Sequence, residues 1–143
     1  MREQSPKSES GLKSSLGQRN TRQREVVFQV IRAAGRPLTV NEIHELAVAH
    51  HDRIGVATVY RTVKLLAEAG QIEEVHLPNE QLRYELTDAH GHHHHHCACQ
   101  KCGKVFCLDY CPVGLPDDTV LPDGFLVQGH AVTLYGVCAD CRN

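Results

Sequence analysis

Two cysteine pairs, Cys99-x2-Cys102 and Cys138-x2-Cys141, constrain this chain more than any other feature. Each pair presents two sulfurs from one tight turn, and two such turns make the tetrahedral thiolate cage that Zn²⁺ prefers at a site with no open position. Thirty-five residues lie between the pairs, more than in a compact zinc ribbon. An ion held there ties the first strand of a C-terminal unit to its last. Structural zinc is worth about 10–16 kcal/mol in small domains that are unfolded without it, as much as the whole stability of a typical domain. Disulfides are the alternative, and paired spacings in a chain without a signal-peptide core favour metal over them.

The first pair is preceded by a second concentration of ligands. Residues 90–102 hold six histidines and three cysteines, the side chains that best bind borderline-soft divalent metals. Along an extended strand, His92, His94 and His96 project one way and His93 and His95 the other, so one strand feeds two metal sites. A purification tag usually sits at a terminus, whereas this run is internal and abuts the first cysteine pair.

The charge of the 143-residue chain is uneven. Up to Lys64 it carries eleven Lys/Arg against six Asp/Glu, and after Lys64 four against eleven. The first half is the one suited to approach phosphates. With 41% hydrophobic and 22% charged residues the chain reads as globular. Low aromatic content gives each half a modest core that a metal would help to hold. No apolar run approaches the length of a membrane span and residues 1–13 lack the apolar core of a signal peptide, so the expected location is cytoplasmic, with no membrane partner.

Hydrophobic periodicity divides the chain. Residues 1–18 show none and read as a disordered basic arm. Val26, Val27, Val30, Ile31 and Ala34 share one helical face, ended by Gly35 and Pro37. Thr39 and Glu42 form a capping box opening a second helix with Ile43, Leu46 and Ala47 as its buried stripe. A third helix runs from Val56 to Ala69, closed by Gly70. Its core face is Val56, Val59, Val63, Leu66 and Ala67, and Thr58, Arg61, Thr62 and Lys64 line the other side. Alternation over 72–77 and 82–86 around Pro78-Asn79 predicts a β-hairpin.

Three short helices and a hairpin describe a winged helix-turn-helix over 19–87. After a hinge at 88–91, residues 92–143 form a small, mainly β unit with strands expected at Val105-Phe106, Phe125 to Val127 and Ala131 to Val137. The fold class is α+β: an N-terminal winged helix-turn-helix domain plus a small C-terminal α/β domain with structural zinc.

Taken together, Ala57-Thr58-Val59-Tyr60-Arg61 on the third helix, a wing ending Arg83-Tyr84-Glu85-Leu86-Thr87, the His-rich run, Cys99-x2-Cys102-Gly103 and His130-x7-Cys138-x2-Cys141 resemble the ferric uptake regulator (Fur) family, over about residues 19–141. The resemblance implies a homodimeric, metal-dependent repressor of metal-uptake genes on a palindromic double-stranded DNA operator, and no enzyme. Carried over by position, Arg61 reaches a base edge, Tyr60 touches bases, Thr58, Thr62 and Lys64 sit on phosphates and Arg19 enters the minor groove.

The resemblance also implies a regulatory site of Glu85, His94 and His96, joined by the residue five past Cys102. That residue is Cys107, where some members have a carboxylate. A thiolate softens the ligand set and tilts it toward Zn²⁺ and away from Fe²⁺. Glu73, His76 and His90 are further hinge candidates. His93, His95 and His130 match another family site, whose carboxylate comes from Asp117 or Asp118. Zinc sensing is the leading expectation. Iron or peroxide sensing with Fe²⁺, or sensing of Mn²⁺, is the alternative, and a DNA-independent metal store the third.

Overall fold

The computed structural model describes residues 10–78, 80–87 and 95–143. Helix α1 (Ser10–Ala34) begins ten residues ahead of the periodic stretch that starts at Asn20, so half of the expected disordered arm is helical. It ends where Gly35 turns left-handed, at φ 59°, a conformation that costs other residues steric strain. Strand β1 (Leu38–Thr39) leads into α2 (Val40–Val48). Thr39 Oγ1 accepts the Glu42 N–H at 3.2 Å and Glu42 Oε2 accepts the Thr39 N–H at 2.8 Å, the capping box that the sequence predicts. Leu46, expected in the buried stripe, is 43% exposed, whereas Ile43 and Ala47 are fully buried.

Helix α3 (Val56–Glu68) closes through Gly70 at φ 74°, with the Gln71 and Gly70 amides returning to the Leu66 and Ala67 carbonyls. Val59, Val63 and Leu66 are buried and Val56, at the first turn, is 38% exposed because the core starts one turn later. Strands β2 (Ile72–Val75) and β3 (Arg83–Leu86) form the wing, and β1 pairs with the other edge of β3. All three helices pack with Leu38, Ile72 and Tyr84 into one core, the winged helix-turn-helix expected.

The C-terminal unit is a three-stranded sheet of β4 (His95–Cys99), β5 (Val105–Leu108) and β6 (Thr133–Gly136), with β4 central. β4 runs antiparallel to β5 and parallel to β6. A four-residue helix, α4 (Ala139–Arg142), completes it. The strand expected at Phe125 to Val127 does not form: Leu126 makes only an isolated bridge to Val120. The prolines at 116 and 122 and left-handed Asp118 and Gly124 keep this segment irregular. The expected hinge at 88–91 lies outside the described residues. The two lobes touch through a small apolar cluster in which Val75 and Leu77 of the wing meet Ala98 and Val105 of the sheet.

Candidate metal centres and nucleic-acid interface

Sheet topology explains how the two cysteine pairs meet. Because β4 and β6 are parallel, with Cys99 opposite Gly136, the turns that follow them emerge at the same end of the sheet. The sulfurs of Cys99, Cys102, Cys138 and Cys141 lie within 4.8 Å of one another. A tetrahedron with Zn–S bonds of about 2.3 Å has sulfur–sulfur edges of about 3.8 Å, and Cys102 and Cys138 are 3.9 Å apart. Four thiols at this range do not ionise alike. The backbone amides of Cys102 and Cys138 donate to Cys99 and lower its pKa to about 6, while the hydrogen bond to Cys138 raises Cys141 to about 12. A dication favours the thiolate form and lets all four lose their protons. The donor set fits structural zinc.

A second cluster joins the lobes. His96 on β4 faces Cys107 on β5 as a direct cross-strand pair, which puts both side chains on one face of the sheet. Glu85 reaches that face from β3 of the wing. Cys107 Sγ donates to Glu85 Oε2 at 2.8 Å and His96 Nε2 lies 3.3 Å from Oε1. The carboxylate is 7% exposed and the imidazole 13%. Burial first, and then the hydrogen bond to Glu85, push the Cys107 thiol well above its ordinary range. Holding an ion here requires that thiol to lose its proton. One carboxylate oxygen, one imidazole nitrogen and one sulfur leave coordination positions open for further ligands.

Sequence candidates fall unevenly around this cluster. His90, His93 and His94 lie outside the described residues. Glu73 is close enough for its charge to raise the Cys107 thiol without joining the group. His76 lies outside the group: its side chain is 72% exposed and pairs with Glu74 at 3.0 Å.

The third cluster is on the opposite face of β4. His95, 1% exposed, stacks on His130 with ring centres 4.9 Å apart. Adjacent residues of one strand thus serve two clusters, as the alternation predicts. The third member is not Asp117, which is exposed and outside the group, but Cys111, whose sulfur is 3.2 Å from His130 Nε2. That contact holds the Cys111 pKa down near 6. Spacing alone does not single out Cys111, because the irregular loop from Asp109 to Val132 decides which side chain returns to His130. His95 Nδ1 accepts the Val132 N–H at 3.1 Å, so the proton of the neutral ring sits on Nε2. An ion bound through Nε2 must displace that proton, just as an ion at the Glu85 cluster must displace the Cys107 thiol proton.

On α3, Tyr60 is 57% exposed, Arg61 and Lys64 are exposed and Thr58 is half-buried. Arg61 Nη2 donates to Thr58 Oγ1 at 3.3 Å, which holds the guanidinium along the exposed face. Thr62 departs from the expected row: it is 6% exposed and packs inward, one helical turn before Leu66. Arg19 lies on α1, with its side chain outside the described residues. Among the described residues no helix is long and apolar enough to cross a membrane.

Comparison with known proteins adds three relatives and a family. The ferric uptake regulator family model matches residues 15–135. The ferric uptake regulation protein of Campylobacter jejuni is 34% identical over 130 residues, 89% of this chain and 82% of that one. The zinc uptake regulation protein of Mycobacterium tuberculosis is 28% identical over 131 residues, covering 91% and 99%. A solved zinc-bound manganese uptake regulator superposes with a TM-score of 0.71 at 30% identity, over 81% of this chain and 87% of that one.

Proposed function

Because this chain belongs to the ferric uptake regulator family, we propose that it is a zinc-responsive repressor that binds a palindromic operator as a homodimer and silences genes for metal uptake. The observation that carries the choice of metal is the sulfur of Cys107 against Glu85 and His96. A thiolate beside an imidazole suits Zn²⁺ better than Fe²⁺. Structural zinc belongs to Cys99, Cys102, Cys138 and Cys141, and the regulatory ion to Glu85, His96 and Cys107, with His94 the fourth candidate. The third cluster, His95, Cys111 and His130, is a further soft site, with Cys111 where Asp117 was expected.

Glu85 gives the regulatory cluster its leverage. It belongs to the wing, whereas His96 and Cys107 belong to the C-terminal sheet. An ion bridging them favours one attitude of the DNA-binding lobe, a population shift bounded by the ion's preference for that attitude. DNA contact falls to α3: Arg61 at a base edge, Tyr60 on bases, Thr58 and Lys64 on phosphates, with Arg19 supporting them. The location that follows is the cytoplasm.

Iron sensing is the second reading, favoured by the carboxylate and imidazole of Glu85 and His96 and by the name of the Campylobacter relative. Duplexes selected from random sequence, titrated with the protein in buffered Zn²⁺ or Fe²⁺, separate the two. Tight binding restored by submicromolar Zn²⁺ and not by Fe²⁺ supports zinc sensing. Equal restoration by both removes the preference, and duplex binding that ignores metal refutes the regulatory reading altogether. Unaltered binding by Arg61→Ala would leave a metal store as the better account.

A further inference from the structure

Strand β3 carries two links to the C-terminal lobe, and the regulatory cluster uses only one. Side chains alternate along a strand: Tyr84 turns into the winged-helix core, while Arg83 and Glu85 turn together toward the sheet. Arg83 is 7% exposed. Its Nη1 donates to Glu42 Oε2 at 3.0 Å, its Nη2 donates to the Gly103 carbonyl at 2.8 Å, and its Nε lies 3.7 Å from Glu80 Oε2. One planar fork thus spans both lobes, which the single point of a lysine ammonium does not do.

Both ends of this bridge are anchored. Glu42 Oε2 also accepts the Thr39 amide and Glu42 Oε1 takes Arg36 at 3.2 Å, so the acidic end is the N-terminus of α2. The carbonyl end belongs to the turn of the first cysteine pair. Gly103 follows Cys102, sits at φ 75° and donates its N–H to the Cys99 carbonyl at 2.9 Å, while the Cys99 N–H donates to Lys104 O at 2.9 Å. The four-cysteine centre therefore sets where the Gly103 carbonyl points.

We propose that Arg83 is a positioning residue for DNA binding: it latches the start of α2 to the turn at Cys99–Lys104, so the attitude of α3 is set at two points, this latch and the Glu85 cluster. The latch rests on the reading of the chain as a DNA-binding regulator. It also gives the four-cysteine centre a mechanical route to the DNA-binding lobe that runs beside the regulatory ion.

The test uses the full chain with zinc in its four-cysteine centre, as wild type, Arg83→Gln, Arg83→Lys and Glu85→Gln. Zinc content, duplex affinity in buffered Zn²⁺, and the distribution of interlobe distances by small-angle scattering are measured for each. Arg83→Gln is expected to keep its structural zinc yet to lose duplex affinity by about 5- to 150-fold, the span typical of coupled sites, with the lobes further apart on average. Arg83→Lys should fall between it and wild type. Wild-type affinity and wild-type distances in Arg83→Gln overturn the proposal. Should that variant not fold, Arg83→Lys, which keeps the charge beside Glu42 but lacks the second arm, decides in the same way. If wild type ignores both metal and duplex, the functional reading has failed, and the interlobe distances still report on Arg83.

Discussion

Cys107 meets His96 across a strand pair and hydrogen-bonds Glu85, a carboxylate from the other lobe, so on the proposed reading its chemistry would set which ion is preferred there. Cys107→Asp restores an oxygen ligand at the same point and should move the preference toward Fe²⁺. Its zinc affinity should fall by more than the roughly 10–100-fold that loss of an outer partner costs. Competition against a zinc-buffered dye checks both. Arg61 is exposed and held along α3 by Thr58. Arg61→Ala should cost about 1–3 kcal/mol of discrimination between selected and scrambled duplexes, read as the ratio of the two dissociation constants at one salt concentration. Thr62 belongs with neither group. It is 6% exposed, and helical periodicity alone assigns it to the wrong face because 100° per residue leaves it at the border.

Element formation follows local chemistry closely. The capping box at Thr39 and Glu42 opens α2 where the sequence predicts it, and left-handed Gly70 closes α3. Thr39→Ala should destabilise the winged-helix lobe by about 0.5–2 kcal/mol, seen as a lower urea midpoint at unchanged slope. Its four-cysteine zinc should be unaffected, since the change removes only the Oγ1 cap and leaves Glu42 to accept Arg83. The misjudged elements are those without local signals. β-Prone residues at Phe125 to Val127 find only one bridging partner, and α1 extends to Ser10 through a stretch without apolar periodicity.

At the scale of the whole molecule the two lobes have unequal means of support. The winged-helix core gathers thirteen buried residues, whereas the interlobe cluster has four, two of them from the sheet. A unit so poor in core is expected to depend on an ion in its four-cysteine centre. A strong chelator should therefore melt the C-terminal lobe first. Thermal unfolding followed by circular dichroism should split into two transitions, with the upper one near its original temperature. A single transition unmoved by chelation would mean that the four cysteines contribute no stability.

What the sequence alone determined is what periodicity and spacing encode: three helices and a wing, a cage built from two Cys-x2-Cys turns, and a strand that aims neighbouring histidines to opposite faces. These are short-range facts, set by dihedral preference and by ligand geometry within a few residues. Only the tertiary structure decided which distant groups complete each cluster. Cys111 displaced Asp117 because a loop without regular structure carries it back to His130. Arg83 became a bridge because the turn at Gly103 presents a carbonyl to the wing. The first depends on a long loop folding back within the C-terminal lobe and the second on how the two lobes come to rest against each other, and no local pattern in the chain encodes either.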